Sequence, residues 1–236
     1  MGKPTSGGAG GSGGRQRAEP APETPPPPPA RNITVSGEGL GDLQTLIGRR
    51  KKLSADEVGD MIGAPDGSTI TVTAEAGTIY MEVKHPNVTD MLRELSRIDG
   101  KLVLYNDSLM LKPDAPKGMG TAIVTRQVEA ARTMGIGKID LFAGGFLGWE
   151  NMNGYYTWPR VGFDAPIPSE KASNIPIKIK QKMKSETMLE LYRTQAGRDW
   201  WLANGGGVSL SFDTDPNSKS SQTLDSYNEE RRKRSG

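Results

Sequence analysis

Two glycines and a lysine are the residues whose types and spacing could bind a ligand most directly. Gly118 and Gly120 follow Lys117 and come immediately before an amphipathic run that predicts a helix. The first turn of a helix leaves several backbone N–H groups without partners and carries a partial positive charge. Because glycine has no side chain, a phosphate or pyrophosphate group could approach these N–H groups closely, and Lys117 would add charge. A tight turn that only joins a strand to a helix is the alternative, and these residues leave it open.

The segments on either side of these glycines predict a strand, a helix and a second strand. The apolar run Leu109 to Leu111 ends at the proline-rich segment 113–116, which cannot continue a strand ladder. Apolar residues then recur at helical spacing until Gly135, a residue type that commonly ends helices. Segment 138–143 predicts the next strand. Two roughly parallel strands with a crossover helix on one face are therefore expected.

The chain before this unit predicts further helices and strands. Ser54 and Glu57 form a capping box that begins a helix, and the alternating segment 68–84 predicts a β-hairpin. Segment 87–98 predicts a second helix, because its apolar residues recur every three or four positions. The inward residues of that helix would be Met91, Leu92, Leu95 and Ile98.

Two short strands are predicted between this helix and the glycines. They span 101–105 and 108–111, and the polar pair Asn106-Asp107 between them is typical of a turn. With the elements on either side, they predict an α+β fold around a sheet of mixed, mostly antiparallel direction.

The motif K-G-M-G-T-A at 117–122 is followed by G-I-G-K-I-D-L-F-A at 135–143 and by Y-Y-T-W-P-R-V-G-F-D at 155–164. Together these segments resemble the GNAT superfamily of N-acetyltransferases over roughly residues 100–165. The resemblance implies an acyl-CoA N-acyltransferase-like fold, a sheet flanked by helices with a parallel strand–helix–strand unit at 109–143. It also implies binding of acetyl-CoA. The pyrophosphate would lie on Lys117, Gly118, Met119, Gly120 and Thr121, and the pantetheine arm would lie along Leu109, Met110 and Leu111.

Two departures from the family pattern bear on activity. The family places glutamine or arginine three residues before the first glycine, where this chain has Ala115. The family's usual tyrosine falls on Trp158, whose indole N–H can donate a hydrogen bond but cannot act as a general acid. Tyr155 and Tyr156 lie nearby but out of register. The catalytic residue is therefore unknown, with Tyr156 as the candidate.

Composition excludes several kinds of site. The chain has no cysteine, which excludes disulfides and thiolate metal sites, and its single histidine, His85, argues against a histidine-based metal centre. A formal net charge of +2 does not by itself indicate a nucleic-acid partner. No apolar stretch approaches the roughly 20 residues that span a bilayer, so no membrane association and a cytoplasmic location are expected.

The composition also predicts how the chain is divided. The glycine- and proline-rich start cannot bury enough apolar area to offset its ordering entropy. The predicted parts are a disordered tail at 1–30, a basic linker at 31–52, a GNAT-like α+β domain at 53–165, a C-terminal extension packed on that domain at 166–213, and a polar basic tail at 214–236.

Three functions follow from this sequence. The first is an acyl-CoA-dependent N-acetyltransferase of unknown acceptor. The second is a catalytically inactive GNAT-like structural or interaction module, including a phage virion component, which would act through protein partners or self-assembly. The third, nucleic-acid binding through Arg49–Lys52, the lysines of 178–184 and Arg231–Arg234, ranks last because the chain balances these clusters with 28 acidic residues.

Overall fold

The computed structural model of this protein describes residues 31–149 and 152–235. One seven-stranded sheet forms its centre, and the spatial order of the strands is their order in the chain. The strands are β1 Thr34–Ser36, β2 Thr69–Glu75, β3 Thr78–Lys84, β4 Val88–Ile98, β5 Lys101–Leu111, β6 Ile136–Ala143 and β7 Val208–Asp213. The helices are α1 Leu40–Ile47, α2 Ala55–Ile62, α3 Met119–Met134, α4 Gly154–Arg160, α5 Ser169–Ala172, α6 Ile177–Lys180, α7 Met188–Tyr192, α8 Gln195–Asn204 and α9 Lys219–Ser235.

The sheet is mixed. Neighbours from β2 to β5 are antiparallel, as are β6 and β7, whereas β1 runs parallel to β2 and β5 runs parallel to β6. A connection between parallel neighbours needs a crossover, and α3 supplies it between β5 and β6. The predicted fold class is confirmed: a mostly antiparallel mixed sheet flanked by helices, with a parallel strand–helix–strand unit.

Helix α3 begins and ends where its glycines predict. Gly118 is its N-cap, and Gly135 is its C-cap in the left-handed conformation, with φ of 73°. The buried face of the helix includes Ile123, Val124 and Val128. This face belongs to the apolar core, where α3 packs against α2 and β6.

Segment 87–98, predicted as a helix, is strand β4, so that prediction is wrong. The inward residues of β4 are Met91, Arg93 and Leu95, which alternate as strand residues do. Arg93 is fully buried, and a charged residue at an inward position hides the period of two from the sequence. Ile98, predicted to face the core, is 53% exposed.

The predicted turn at Asn106-Asp107 is also wrong, because β5 runs without interruption from Lys101 to Leu111. The pairing with β4 shifts here, since Leu92 lies opposite Ser108 and Arg93 lies opposite Asn106. Asp107 is therefore the extra residue of a β-bulge. Polar residues suit a bulge as well as a turn, and the sequence alone does not separate the two.

Asn106 and Gln127 join β5 to α3 in the buried interior. The Asn106 amide donates to Gln127 Oε1 at 3.0 Å, and the Gln127 amide donates back to Asn106 Oδ1 at 2.8 Å. We expect Asn106→Val to lower the free energy of unfolding by about 1–2 kcal/mol, because it leaves the Gln127 amide buried without its partner. Urea denaturation of this variant and of Asn106→Val/Gln127→Leu tests the prediction. The double variant should recover part of the loss, and a larger loss in the double variant would contradict it.

The structure adds detail to the predicted division of the chain. Segment 31–52, predicted as a linker, contains β1 and α1, and segment 166–213 supplies β7 to the same sheet. Segment 214–236, predicted as a tail, forms α9. Residues 1–30 lie outside the described part of the chain, and the domain boundaries stay a prediction.

Candidate functional site

The glycine loop, residues 117–121, turns the chain from the end of β5 into α3. Gly118 has φ of 90°, a left-handed conformation that favours glycine, and no side chain caps the helix here. The Met119 N–H donates to the Pro116 carbonyl at 3.0 Å, and the Ala122 N–H donates to the Gly118 carbonyl at 3.0 Å. Between them lie the N–H groups of Gly120 and Thr121, whose place in the first turn keeps them out of the helical ladder. These two N–H groups are the ones that an anion could reach.

A guanidinium from the C-terminal helix lies against this loop. A Cβ placed on Gly118 would collide with the guanidinium group of Arg231 in α9, so only glycine allows this close approach. A Cβ on Gly120 would meet only Leu111 Cδ1, at an ordinary contact distance of 3.6 Å. The start of α3 therefore lies near Arg231 at Gly118 and near Leu111 of β5 at Gly120, and Lys117 beside it is exposed.

The strand that precedes the loop is paired on one side only near its end. Strand β6 pairs with β5 as far as Asn106, opposite Leu141, whereas β5 continues to Leu111. On the other side, β4 still pairs with Leu109, Met110 and Leu111. In the described part of the chain β5 and β6 thus separate just before the glycine loop. The structure brings together the strand end and the loop that the sequence singled out.

The two tyrosines of α4, Tyr155 and Tyr156, occupy different environments. Tyr155 is buried, and its hydroxyl donates to the Leu202 carbonyl at 2.9 Å. Trp158 packs edge-on against Phe163 with ring centroids 5.1 Å apart. Tyr156 is only partly buried, and its ring lies 5.5 Å from the guanidinium carbon of Arg160. Of the three, Tyr156 is the one that borders an open cleft.

Helix α9 connects the glycine loop to the cleft at Tyr156. Tyr227 lies 5.6 Å from the guanidinium carbon of Arg160, and Arg231, one helical turn later, lies at Gly118. The Asn228 amide also donates to Thr125 Oγ1 of α3 at 3.0 Å. Sequence reasoning treated this segment as a tail and missed its contribution. The available signal was the helical spacing of its inward residues Ser220, Leu224, Tyr227 and Arg231.

A metal site and a membrane-spanning helix are two further features that bear on function. Within residues 31–149 and 152–235, no group of three or more acidic or histidine side chains is placed to hold a metal ion. Among the described helices, none has both the length and the apolar character needed to cross a bilayer.

Comparison with known proteins gives little beyond this geometry. No protein-family model matches the chain, and no curated protein sequence does. Among solved structures, the chain is similar to Arabidopsis thaliana Naa50 in complex with the bisubstrate analogue CoA-Ac-MVNAL. The identity is 13% and the TM-score is 0.25, over 55% of this chain and 82% of that one. Since a similarity this small carries no argument, the site is assessed from its own residues.

Proposed function

We propose that this protein is a GNAT-like acyl-CoA-dependent N-acetyltransferase that binds acetyl-CoA at the glycine loop, with an acceptor that is unknown. The observation that carries the proposal is the pair of N–H groups of Gly120 and Thr121 in the first turn of α3, close to the Arg231 guanidinium at Gly118. Positive charge and backbone N–H groups outside the helical ladder, together at the N-terminus of a helix, favour the binding of a pyrophosphate. The gap that opens between β5 and β6 would take the pantetheine arm along Leu109–Leu111.

The alternative function is a GNAT-like module without catalysis that acts by interaction or assembly, for instance in a phage virion. Trp158 favours it, because this side chain cannot donate a proton to a leaving thiolate and instead packs on Phe163. Tyr155 cannot replace it, since its hydroxyl already donates to the Leu202 carbonyl. Tyr156 is then the remaining tyrosine for the enzymatic role. The enzyme would act in the cytoplasm, and the module in the cytoplasm or a virion.

The loop can be tested with two substitutions at one position. Gly120→Glu places a carboxylate among the N–H groups and should weaken acetyl-CoA binding at least tenfold, or by about 1.4 kcal/mol. An acidic residue in the first turn also suits a helix, so folding should be unaffected. Gly120→Ala adds one methyl group at an ordinary contact distance and is the matched control. Calorimetric titration with acetyl-CoA and with CoA measures both variants.

The outcomes separate the two functions. Binding to the wild type and to Gly120→Ala, but not to Gly120→Glu, would support a cofactor site and justify a screen of amine acceptors. Equal affinity in Gly120→Glu and the wild type would place the ligand elsewhere. Absence of binding at millimolar acetyl-CoA would reject the enzyme and favour the interaction module.

A further inference from the structure

A basic cleft of about 750 Å³ lies between α4, α7, α8 and α9. Its lining contains seven lysine and arginine side chains but only two glutamates, although the whole chain carries a formal net charge of only +2. Concave surfaces lined with one sign of charge concentrate the electrostatic field and attract counter-ions. The volume lies within the range of small-molecule sites.

Arg160 is held in this cleft by aromatic rings. Its guanidinium carbon lies 5.5 Å from the centre of the Tyr156 ring and 5.6 Å from that of the Tyr227 ring. Contacts of this kind orient a guanidinium without neutralising it, because the ring faces carry no net charge. The N–H groups of Arg160 are thus fixed in position while its charge is retained.

Hydrogen bonds to two uncharged oxygens orient Arg198. Its Nη1 donates to the Tyr192 carbonyl at 2.6 Å, and its Nη2 donates to Gln195 Oε1 at 2.8 Å. Both acceptors are uncharged, so the contacts fix the side chain without cancelling its charge. A second arginine of the cleft is therefore preorganised for an anion.

Glu190 holds two further cations on the cleft wall. This carboxylate is 4% exposed and lies 3.0 Å from Arg193 Nη1 and 3.1 Å from Lys219 Nζ. One negative charge shared by two cations leaves a net positive charge at the cleft surface. Both cationic side chains remain more than half exposed, so they can also face a ligand.

We propose that this cleft binds a small ligand that carries two or more phosphate groups. Guanidinium groups match the geometry of phosphate oxygens and bind them in pairs of hydrogen bonds. Cations on several walls of a concave site suit a compact polyanion better than an extended one such as nucleic acid, which needs a continuous basic surface. The inference goes beyond acetyl-CoA binding at the glycine loop, because it rests on Arg160 and Arg198, and Arg231 is the cleft residue that also lies at Gly118.

The experiment must separate this cleft from the glycine loop, which could also attract phosphate. Tripolyphosphate is titrated calorimetrically into full-length Gly120→Glu, in which the loop is blocked by a carboxylate. We expect binding that weakens at least tenfold when Arg160→Gln or Arg198→Gln is added. Lys178→Gln removes one positive charge from an exposed lysine outside the cleft and serves as the matched control, with affinity expected within about twofold.

Each result supports or overturns the proposal. If the single variant Gly120→Glu no longer binds tripolyphosphate, the anion binds at the glycine loop and the proposal is overturned. The proposal is also overturned if Lys178→Gln weakens binding as much as Arg160→Gln does. Tighter binding of a single-stranded oligonucleotide than of tripolyphosphate, lost on Arg160→Gln, would assign the cleft to nucleic acid instead. Urea unfolding of every variant confirms that each one is folded. Acetyl-CoA binding is measured separately with the Arg160→Gln and Arg198→Gln variants, which leave the glycine loop and Arg231 unchanged, so failure at one site is distinguished from failure at the other.

Discussion

Replacing Trp201 by alanine is expected to lower the free energy of unfolding by about 3–5 kcal/mol, the range for truncating a fully buried tryptophan. Trp201 is 1% exposed, and its indole N–H donates to the Tyr155 carbonyl at 3.0 Å. The side chain thus joins α8 to α4, the helix that carries Tyr156 and Arg160. Its loss would leave a cavity and a buried carbonyl without its donor.

The adjacent tryptophan provides the control. Trp200 is only partly buried, so Trp200→Ala should cost about 1 kcal/mol, because less apolar area returns to water. Trp201→Phe should lie between the two, since it restores most of the volume but not the hydrogen bond. Urea denaturation followed by circular dichroism measures all three variants. Similar losses for Trp200→Ala and Trp201→Ala would show that α8 is not held in the described way.

Glu190→Gln is expected to lower the free energy of unfolding by about 2–3 kcal/mol at neutral pH, and by progressively less in acid. Burial alone would raise the pKa of Glu190, but the Lys184 N–H and the Arg193 and Lys219 side chains lower it to about 2 from its usual 4.5. A carboxylate with a depressed pKa stabilises the folded state fully above the unfolded-state pKa. That contribution is lost as the pH falls from about 4.5 to about 2.

The measurement is the difference in stability between wild type and Glu190→Gln at several pH values. The difference should be largest near neutral pH and should become small as the pH approaches 2, where Glu190 becomes protonated in the folded wild type as well. Glu186→Gln is the matched control. Glu186 is 62% exposed and lies 3.5 Å from Lys180, so its effect should stay within about 0.5 kcal/mol. A difference for Glu190→Gln that does not change with pH would refute the assigned pKa.

The glycine loop and its helix could be predicted because their signals are local. Gly118 and Gly135 mark the two ends of α3, and the apolar positions between them recur with one unambiguous period. The neighbouring strand β6 also follows from local alternation, with Ile139 and Leu141 buried. Local patterns were therefore sufficient for α3 and β6, but not for the full length of β5.

Strand β4 could not be predicted because its inward positions are not all apolar. Arg93 is buried between Met91 and Leu95, and Nη1 donates to the Leu92 carbonyl at 2.9 Å, an arrangement that exists only after folding. Burial lowers the pKa of Arg93 to about 9. A sequence pattern assigns such a residue to the surface, and the remaining apolar residues then fit a helix.

The basic cleft was beyond sequence reasoning for a different reason. Arg160, Arg198 and Arg231 come from three helices and meet only when α4, α8 and α9 pack together. The sequence instead draws attention to the dense lysine run at 178–184, of which Lys184 alone lines the cleft. Density of charge along the chain is a poor guide to density of charge in space.

The order of the strands has a consequence for how the protein is made. Each strand after β1 pairs with the strand that precedes it in the chain, so the sheet can grow in the direction of synthesis, one strand at a time. Three of the steps have long connections: α1 and α2 lie between β1 and β2, α3 lies between β5 and β6, and α4 to α8 lie between β6 and β7. Helix α9 follows β7, so the described sheet can be complete before Arg231 reaches Gly118. The glycine loop and the basic cleft would then be the last parts of the described fold to acquire their final form during translation.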